Sequence, residues 1–199
     1  MRFTGHLDMM RVWERTFRRA QLSLAYTQGY NPHPRINLGL ALPLGYISQC
    51  ELMDIWLTEN VERNELRTRI HDVLPPGLEI REISLVNHDT PTLQRQIHAT
   101  EYVVHLDPVL PLEKLQGKIE VLLTSQEILR ERRGKKYDLR PLITSLEYVD
   151  IGGEIVLKMQ LSAQEGQTGR PDEVLMQLDL DPTKATIVRK RLILQNPLE

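Results

Sequence analysis

A single cysteine, Cys50, stands in 199 residues, so no intrachain disulfide can form and no set of thiolates exists to hold an iron–sulfur cluster. Aromatic residues are scarce at 5%, and no apolar run approaches the roughly 20 residues that cross a bilayer. Met1 leads at once into a charged amphipathic stretch, so no secretory leader is expected and the expected location is cytoplasmic, with no membrane contact. A large excess of one charge is also missing. The net charge of −2 excludes a general polyanion binder, and any nucleic-acid affinity has to come from local patches. There is no nucleophile elbow, no glycine-rich phosphate loop, no dinucleotide fingerprint and no metal-ligand spacing. No cofactor and no metal are therefore expected in this chain. What is present is a globular composition, 41% apolar, long enough for one large domain or two small ones.

The stretch from His6 to Tyr46 is the most informative. Met9, Val12, Trp13, Thr16, Phe17 and Ala20 recur at spacings of three and four, which predicts a helix over about 7–22 with one apolar face. Arg11, Arg15 and Arg18 repeat on another face with Arg19 beside them. Guanidinium forks match phosphate oxygens in pairs, and only Glu14 interrupts the run. The plainer reading is a solvated face with one local ion pair, Glu14 to Arg18. A stiff loop follows. Gly29 can take a positive φ, and Asn31-Pro32-His33-Pro34 restricts four successive residues. His33, flanked by Tyr26, Gln28, Tyr30 and Arg35, is the loop's chemical group; a rigid entry into the next strand is the alternative. His6, Asp8 and His33 converge if the loop folds back, giving an acid–base set. Asp8 as a helix cap is the simpler account. Trp13 and Trp56 read as core.

These residues carry a resemblance. Gly5-His6-Leu7-Asp8, Arg11, Arg15, Arg18-Arg19-Ala20, then Tyr26-x-Gln28-Gly29-Tyr30-Asn31-Pro32-His33-Pro34-Arg35 and Leu42-Pro43-Leu44-Gly45 resemble the uncharacterised radical-SAM-linked domain family. Asp138-Leu139-Arg140-Pro141 and Arg170-Pro171-Asp172-Glu173-Val174 match that family's later landmarks, so the resemblance spans nearly the whole chain. It implies a domain that stands alone or follows a radical-SAM domain, with genes often near those for ribosomal proteins and RNA processing. A radical-SAM protein is thus an implied partner. The departure is a first strand shorter than that family's usual one.

In chain order, the elements read as a strand at 1–5, the helix, strands at 36–42 and 51–57, a helix over 61–74 capped by Asn60 and stopped by Pro75-Pro76-Gly77, and a strand at 78–86. Residues 87–97 read as a linker. The second half reads as a strand at 98–106, a helix at 112–123 and a basic hairpin over 127–140 turning at Gly134. A strand pair across Gly152-Gly153, a loop at 163–169, a short helix opened by Pro171 and a strand at 186–194 complete it. The expected fold is α+β: two tandem ferredoxin-like (split βαβ) modules with antiparallel sheets, at 1–90 and 97–199.

Basic charge is local. Residues 1–35 hold six basic and two acidic residues, as do residues 128–141, where Arg130, Arg132, Arg133, Lys135, Lys136 and Arg140 stand. Lys184, Arg189, Lys190 and Arg191 form a third run. A hairpin with cations at its tip and Tyr137 at its base suits a nucleic-acid backbone and a stacked base, or serves only solubility. The expected phosphate- or RNA-binding set is Arg11, Arg15, Arg18, Arg19, Tyr30, Asn31, Arg35, Arg132, Arg133, Lys135, Lys136 and Arg140. The leading functional expectation is a module binding tRNA or rRNA through a basic face. The alternatives are an RNA-processing enzyme using His33 or His6 as acid–base, and an adaptor for a radical-SAM partner.

Overall fold

The computed structural model describes residues 1–107, 112–151, 154–164 and 166–195. The chain is mixed α+β with mainly antiparallel sheets and divides into two compact units, 1–45 with 52–93, and 46–51 with 94–199. Among the described residues no helix is long and apolar enough to cross a membrane.

In the first unit, α1 (His6–Arg19) presents the expected face: Thr16 and Phe17 are buried, and Trp13 stacks on Phe17 at 5.4 Å between centroids. Phe17, Ala20 and Leu22 pack with Leu66 and Ile70 of α2 (Arg63–His71), and Ile36, Met53, Ile55 and Leu57 close around them. α1 ends in a left-handed residue: Gln21 has φ 55°, which lets Leu22 N–H reach the Phe17 carbonyl and Gln21 N–H the Arg18 carbonyl, both at 3.1 Å. The sheet here has two short strands, β1 (Ile36–Leu38) and, after an intervening β2 described below, β3 (Met53–Ile55), paired antiparallel.

This is less than the sequence suggests. Residues 1–5 form a turn, not a strand, with Phe3 78% exposed. Residues 78–86 form no strand either: their alternation breaks where Ile80 is followed by Ile83, both packed on the core, and Leu85 is 91% exposed. Glu62 rather than Asn60 caps α2, its carboxylate accepting from the Asn64 and Glu65 amides at 2.8 and 3.1 Å. The start of α1 is capped by Gly5 with no side-chain bond, so Asp8 does not cap; it pairs with Arg11 at 3.1 Å.

The second unit carries the large sheet. Its strands are β2 (Ile47–Ser48), β4 (Ile97–Leu106), β7 (Ile143–Ile151), β8 (Glu154–Gln164), β9 (Gln167–Thr168) and β10 (Ala185–Leu194). The order across it is β2-β10-β4-β8-β7, with β9 paired to β8. The four long strands thus lie fourth, first, third, second in chain order, and every pairing among them is antiparallel. Register puts Ile187, Val104 and Leu157 in one row, all at 3% exposure or less. Leu115, Ile119 and Leu122 of α4 (Leu112–Thr124) and Val174 and Leu175 of α5 (Pro171–Gln177) are buried too. Part of the expected linker is a short helix, α3 (Leu93–Gln96), with Leu93 buried. The expected 163–169 loop is instead partly the β8–β9 pairing, and the expected Gly152-Gly153 turn lies outside the described residues.

Two features were not expected. Residues 46–50, which carried no expected element, and Glu51, the expected start of the 51–57 strand, belong to the second unit, where β2 pairs parallel with β10. Arg189, read as part of a basic run, is 1% exposed: alternation along β10 sets it on the same face as Ile187, and a bulge at Lys190 sends Arg191 to the other face. Its guanidinium meets both Glu51 oxygens at 2.9 and 3.0 Å and lies 5.8 Å from the Tyr102 ring centre. Beside it, the Tyr46 hydroxyl donates to Asp172 at 3.1 Å, and Asp172 takes a two-pronged contact from Arg170 at 3.0 Å. Burial first, then the Asp172 charge, pushes the Tyr46 hydroxyl well above its usual pKa, so it stays a donor.

Two stability changes are expected from chemical denaturation. Gln21→Gly relieves the left-handed residue and raises stability by about 1 kcal/mol. Glu51→Ala leaves a buried guanidinium without its carboxylate and costs about 3–5 kcal/mol.

Candidate nucleic-acid interface

The helical repeat places Arg11, Arg15, Arg18 and Arg19 within an arc of roughly 100° on α1, and all four are exposed. Two have acid neighbours: Arg11 with Asp8, and Arg18 with Glu14 at 2.8 Å. Arg15 and Arg19 have no acidic partner among the described residues. Exposed i,i+3 and i,i+4 pairs contribute little and open easily, so the face remains cationic.

The 25–35 loop stands on a pinned base. Ala25 N–H bonds the Trp56 carbonyl at 2.7 Å, Arg35 N–H the Ala25 carbonyl at 2.8 Å, and Trp56 N–H the Arg35 carbonyl at 3.2 Å. Tyr26 bridges to Pro34, and the Thr27 hydroxyl accepts from His33 N–H at 3.0 Å. The two prolines and these bonds leave a short tip, where Gly29 takes φ 136°. Tyr30 at that tip is 99% exposed, and Asn31 beside it is exposed. Arg35 lies over the Trp56 ring at 4.5 Å, so Trp56 is half-buried under a cation rather than a core residue. That pairing had no sequence signal, since Arg35 just precedes β1 and Trp56 just follows β3, far apart in the chain.

His33 and His6 are both exposed, and neither imidazole has a hydrogen-bond partner among the described residues. His6, Asp8 and His33 do not converge, and among the described residues no group of three or more His, Cys, Asp or Glu side chains is placed to hold a metal ion. The acid–base set inferred from the sequence therefore lacks the carboxylate that would orient its histidine.

A separate basic surface lies in the second unit. β5 (Leu129–Arg132) and β6 (Lys135–Asp138) pair across Arg133-Gly134, whose φ values of 49° and 75° suit a two-residue turn. Arg133, Lys135 and Lys136 are exposed at the tip with no ion partner among the described residues, and Arg132 is half-buried. The base of the hairpin is structural. Arg130 pairs with buried Glu173 at 2.9 Å, and the Tyr137 hydroxyl bonds the same carboxylate; burial, then the Glu173 charge, raises the Tyr137 pKa. Tyr137 is half-buried, with its hydroxyl turned towards that carboxylate. Arg140 also leaves the expected site: its guanidinium reaches the Leu123 carbonyl at 2.9 and 3.1 Å and the Ile143 carbonyl at 3.0 Å, closing the end of α4. Asp138 bonds the Ile128 and Arg140 amides at 2.8 and 2.9 Å.

The chain belongs to the family described as "Uncharacterized protein conserved in bacteria (DUF2344)", whose profile matches residues 1–171. A comparison with curated proteins finds no match. Among solved structures, a chain of the crystal structure of a Cbf5-Nop10-Gar1 complex is similar over 94% of this chain and 46% of that one, at 14% identity and a TM-score of 0.48. This chain therefore spans a little under half the length of that relative.

The two kinds of arginine separate in a stability measurement. Arg140→Ala strands two carbonyls and costs about 2–3 kcal/mol, whereas Arg15→Ala/Arg19→Ala together change stability by less than about 0.5 kcal/mol, read from urea midpoints.

Proposed function

We propose that this member of the DUF2344 family is an RNA-binding module that takes structured RNA, such as tRNA or rRNA, through the arginine face of α1 and the 25–35 loop. The observation that carries the reading is the placement of Arg15 and Arg19, exposed and without acid partners among the described residues, in the same unit as a braced loop that holds Tyr30 fully in solvent. Guanidiniums position a phosphate backbone, and an exposed ring on a stiff loop stacks on an unpaired base with little ordering cost. The tip of the β5–β6 hairpin is a second phosphate-binding surface in its own unit, formed by Arg132, Arg133, Lys135 and Lys136. In this reading the second unit is a ferredoxin-like module, and the first is a smaller αββα unit. Catalysis by His33 or His6 is not favoured, because no hydrogen bond among the described residues orients either ring.

A second reading, an adaptor for a protein partner, is favoured by Phe3, Leu7 and Leu44, which expose apolar side chains at 78%, 71% and 63%. A radical-SAM protein is the candidate partner on the resemblance alone.

Fluorescence-anisotropy titration of tRNA and rRNA fragments at two salt concentrations tests the first reading. Binding is expected to weaken steeply with salt. Arg15→Ala/Arg19→Ala should flatten the slope of log K against log salt by about 1.4, two phosphate contacts' worth. Absence of binding at low salt would discard the RNA reading and leave the adaptor.

A further inference from the structure

A groove of about 190 Å³ opens beside the C-terminal half of α1, lined by Glu14, Arg18, Leu22, Ser23, Leu24 and Tyr26. Its parts differ in kind. Leu22 and Leu24 contribute apolar lining, the half-exposed Tyr26 contributes an aromatic ring, and the Glu14–Arg18 pair contributes charge. The strand side is fixed before any ligand arrives. Ser23 N–H bonds Glu59 at 3.2 Å, the Ser23 carbonyl accepts from Thr58 N–H at 2.8 Å, and Leu24 bridges to Leu57.

Glu14 is out of place on a face that binds phosphate, because a carboxylate repels one. Arg18 contacts only the Oε1 atom through one nitrogen, which leaves the other oxygen and the remaining lone pairs to accept hydrogen bonds. A groove lined by apolar side chains, an aromatic ring and a carboxylate matches a planar ring whose edge carries N–H donors. Guanine presents two such donors side by side, the ring N1–H and the exocyclic amine, and two parallel donors suit the two oxygens of a carboxylate. Uracil presents a carbonyl where the amine would be.

We infer that this groove selects one unpaired guanine, so that the module reads a single-stranded segment of its RNA rather than a duplex. The inference rests on the RNA reading above and adds to it a base and a strandedness. In a duplex the Watson–Crick edge of guanine is occupied by its partner, and the base cannot leave the stack without unpairing.

The test uses the full chain and labelled single-stranded oligoadenylates with one central guanosine, inosine, cytidine or uridine, together with a blunt duplex containing the same guanosine. Inosine keeps N1–H and lacks the amine. Anisotropy should show the guanosine strand bound about tenfold more tightly than the uridine strand, with inosine between them and the duplex weaker than the guanosine strand. Glu14→Gln, which keeps a polar contact for Arg18 on an exposed helix face, should erase the guanosine preference without lowering affinity for the uridine strand. Tyr26→Ala should weaken every single strand about fivefold or more. Binding that ignores the base, a preference that survives Glu14→Gln, or a duplex bound as well as the guanosine strand would overturn the groove assignment and leave the RNA reading standing. No binding of any strand or of tRNA at low salt would overturn both.

Discussion

A guanidinium in a hydrocarbon core needs a fixed counter-charge, and in this protein Arg189 makes that demand on the second unit. The side chain sits on the core face of β10, in line with Tyr102 and Met159. Glu51 answers it with both oxygens, and Glu51 is there because residues 46–51 run along β10 as an extra parallel edge, with Ile47 beside Val188 and Ser48 beside Arg189. The same strap brings Tyr46 against Tyr102 at 6.3 Å and onto Asp172 at the start of α5. Asp172 in turn holds Arg170. One buried charge therefore fixes the outer strand and the entry to the second helix of the unit. Cys50 lies in this strap, its thiol pKa raised by burial and then by the Glu51 charge, which keeps it protonated against the Arg189 carbonyl.

The fold sorts the basic residues into two populations. Arg130, Arg140, Arg170 and Arg189 are held by carboxylates or by backbone carbonyls. Arg15, Arg19, Arg133, Lys135 and Lys136 stand in solvent. A net charge of −2 hides this division, because it counts held and solvent-exposed cations alike. The functional reading comes from the second. Each of the two late landmarks of the chain belongs to the first: Asp138-Leu139-Arg140-Pro141 closes the end of α4, and Arg170-Pro171-Asp172-Glu173-Val174 opens α5. They are packing motifs, and only the early one, around 26–35, lies on exposed backbone.

Where periodicity was local and strong, the sequence was readable. The α1 face, the turn at Gly134 and the alternating strands of the second half are local patterns, and each forms. The failures are non-local. Nothing in Tyr46-Ile47-Ser48-Gln49-Cys50-Glu51 says that it pairs with residues nearly 140 positions away, as Glu51 does with Arg189. Alternation along β10 puts Arg189 on the face of Ile187 and the bulge at Lys190 sends Arg191 to the other, and a charge count shows neither. The 78–86 strand was inferred from apolar content, but its spacing changes from two to three at Ile80–Ile83 and so cannot line one face of a sheet. At the candidate site, the exposed arginines and the stiff loop were legible. The groove at Glu14 was not, because its walls come from a helix and a bridged strand that only the fold brings together.

The central claim is that the unpartnered arginines of α1 and the tip of the 25–35 loop contact RNA directly. Photochemical cross-linking of the protein to tRNA, followed by mass spectrometry of the linked peptides, tests it most directly. The account predicts nucleotide adducts on Tyr30 or Tyr26 and on peptides flanking Arg15 and Arg19, lost when salt is raised. Adducts confined to other surfaces, or none at low salt, would contradict it.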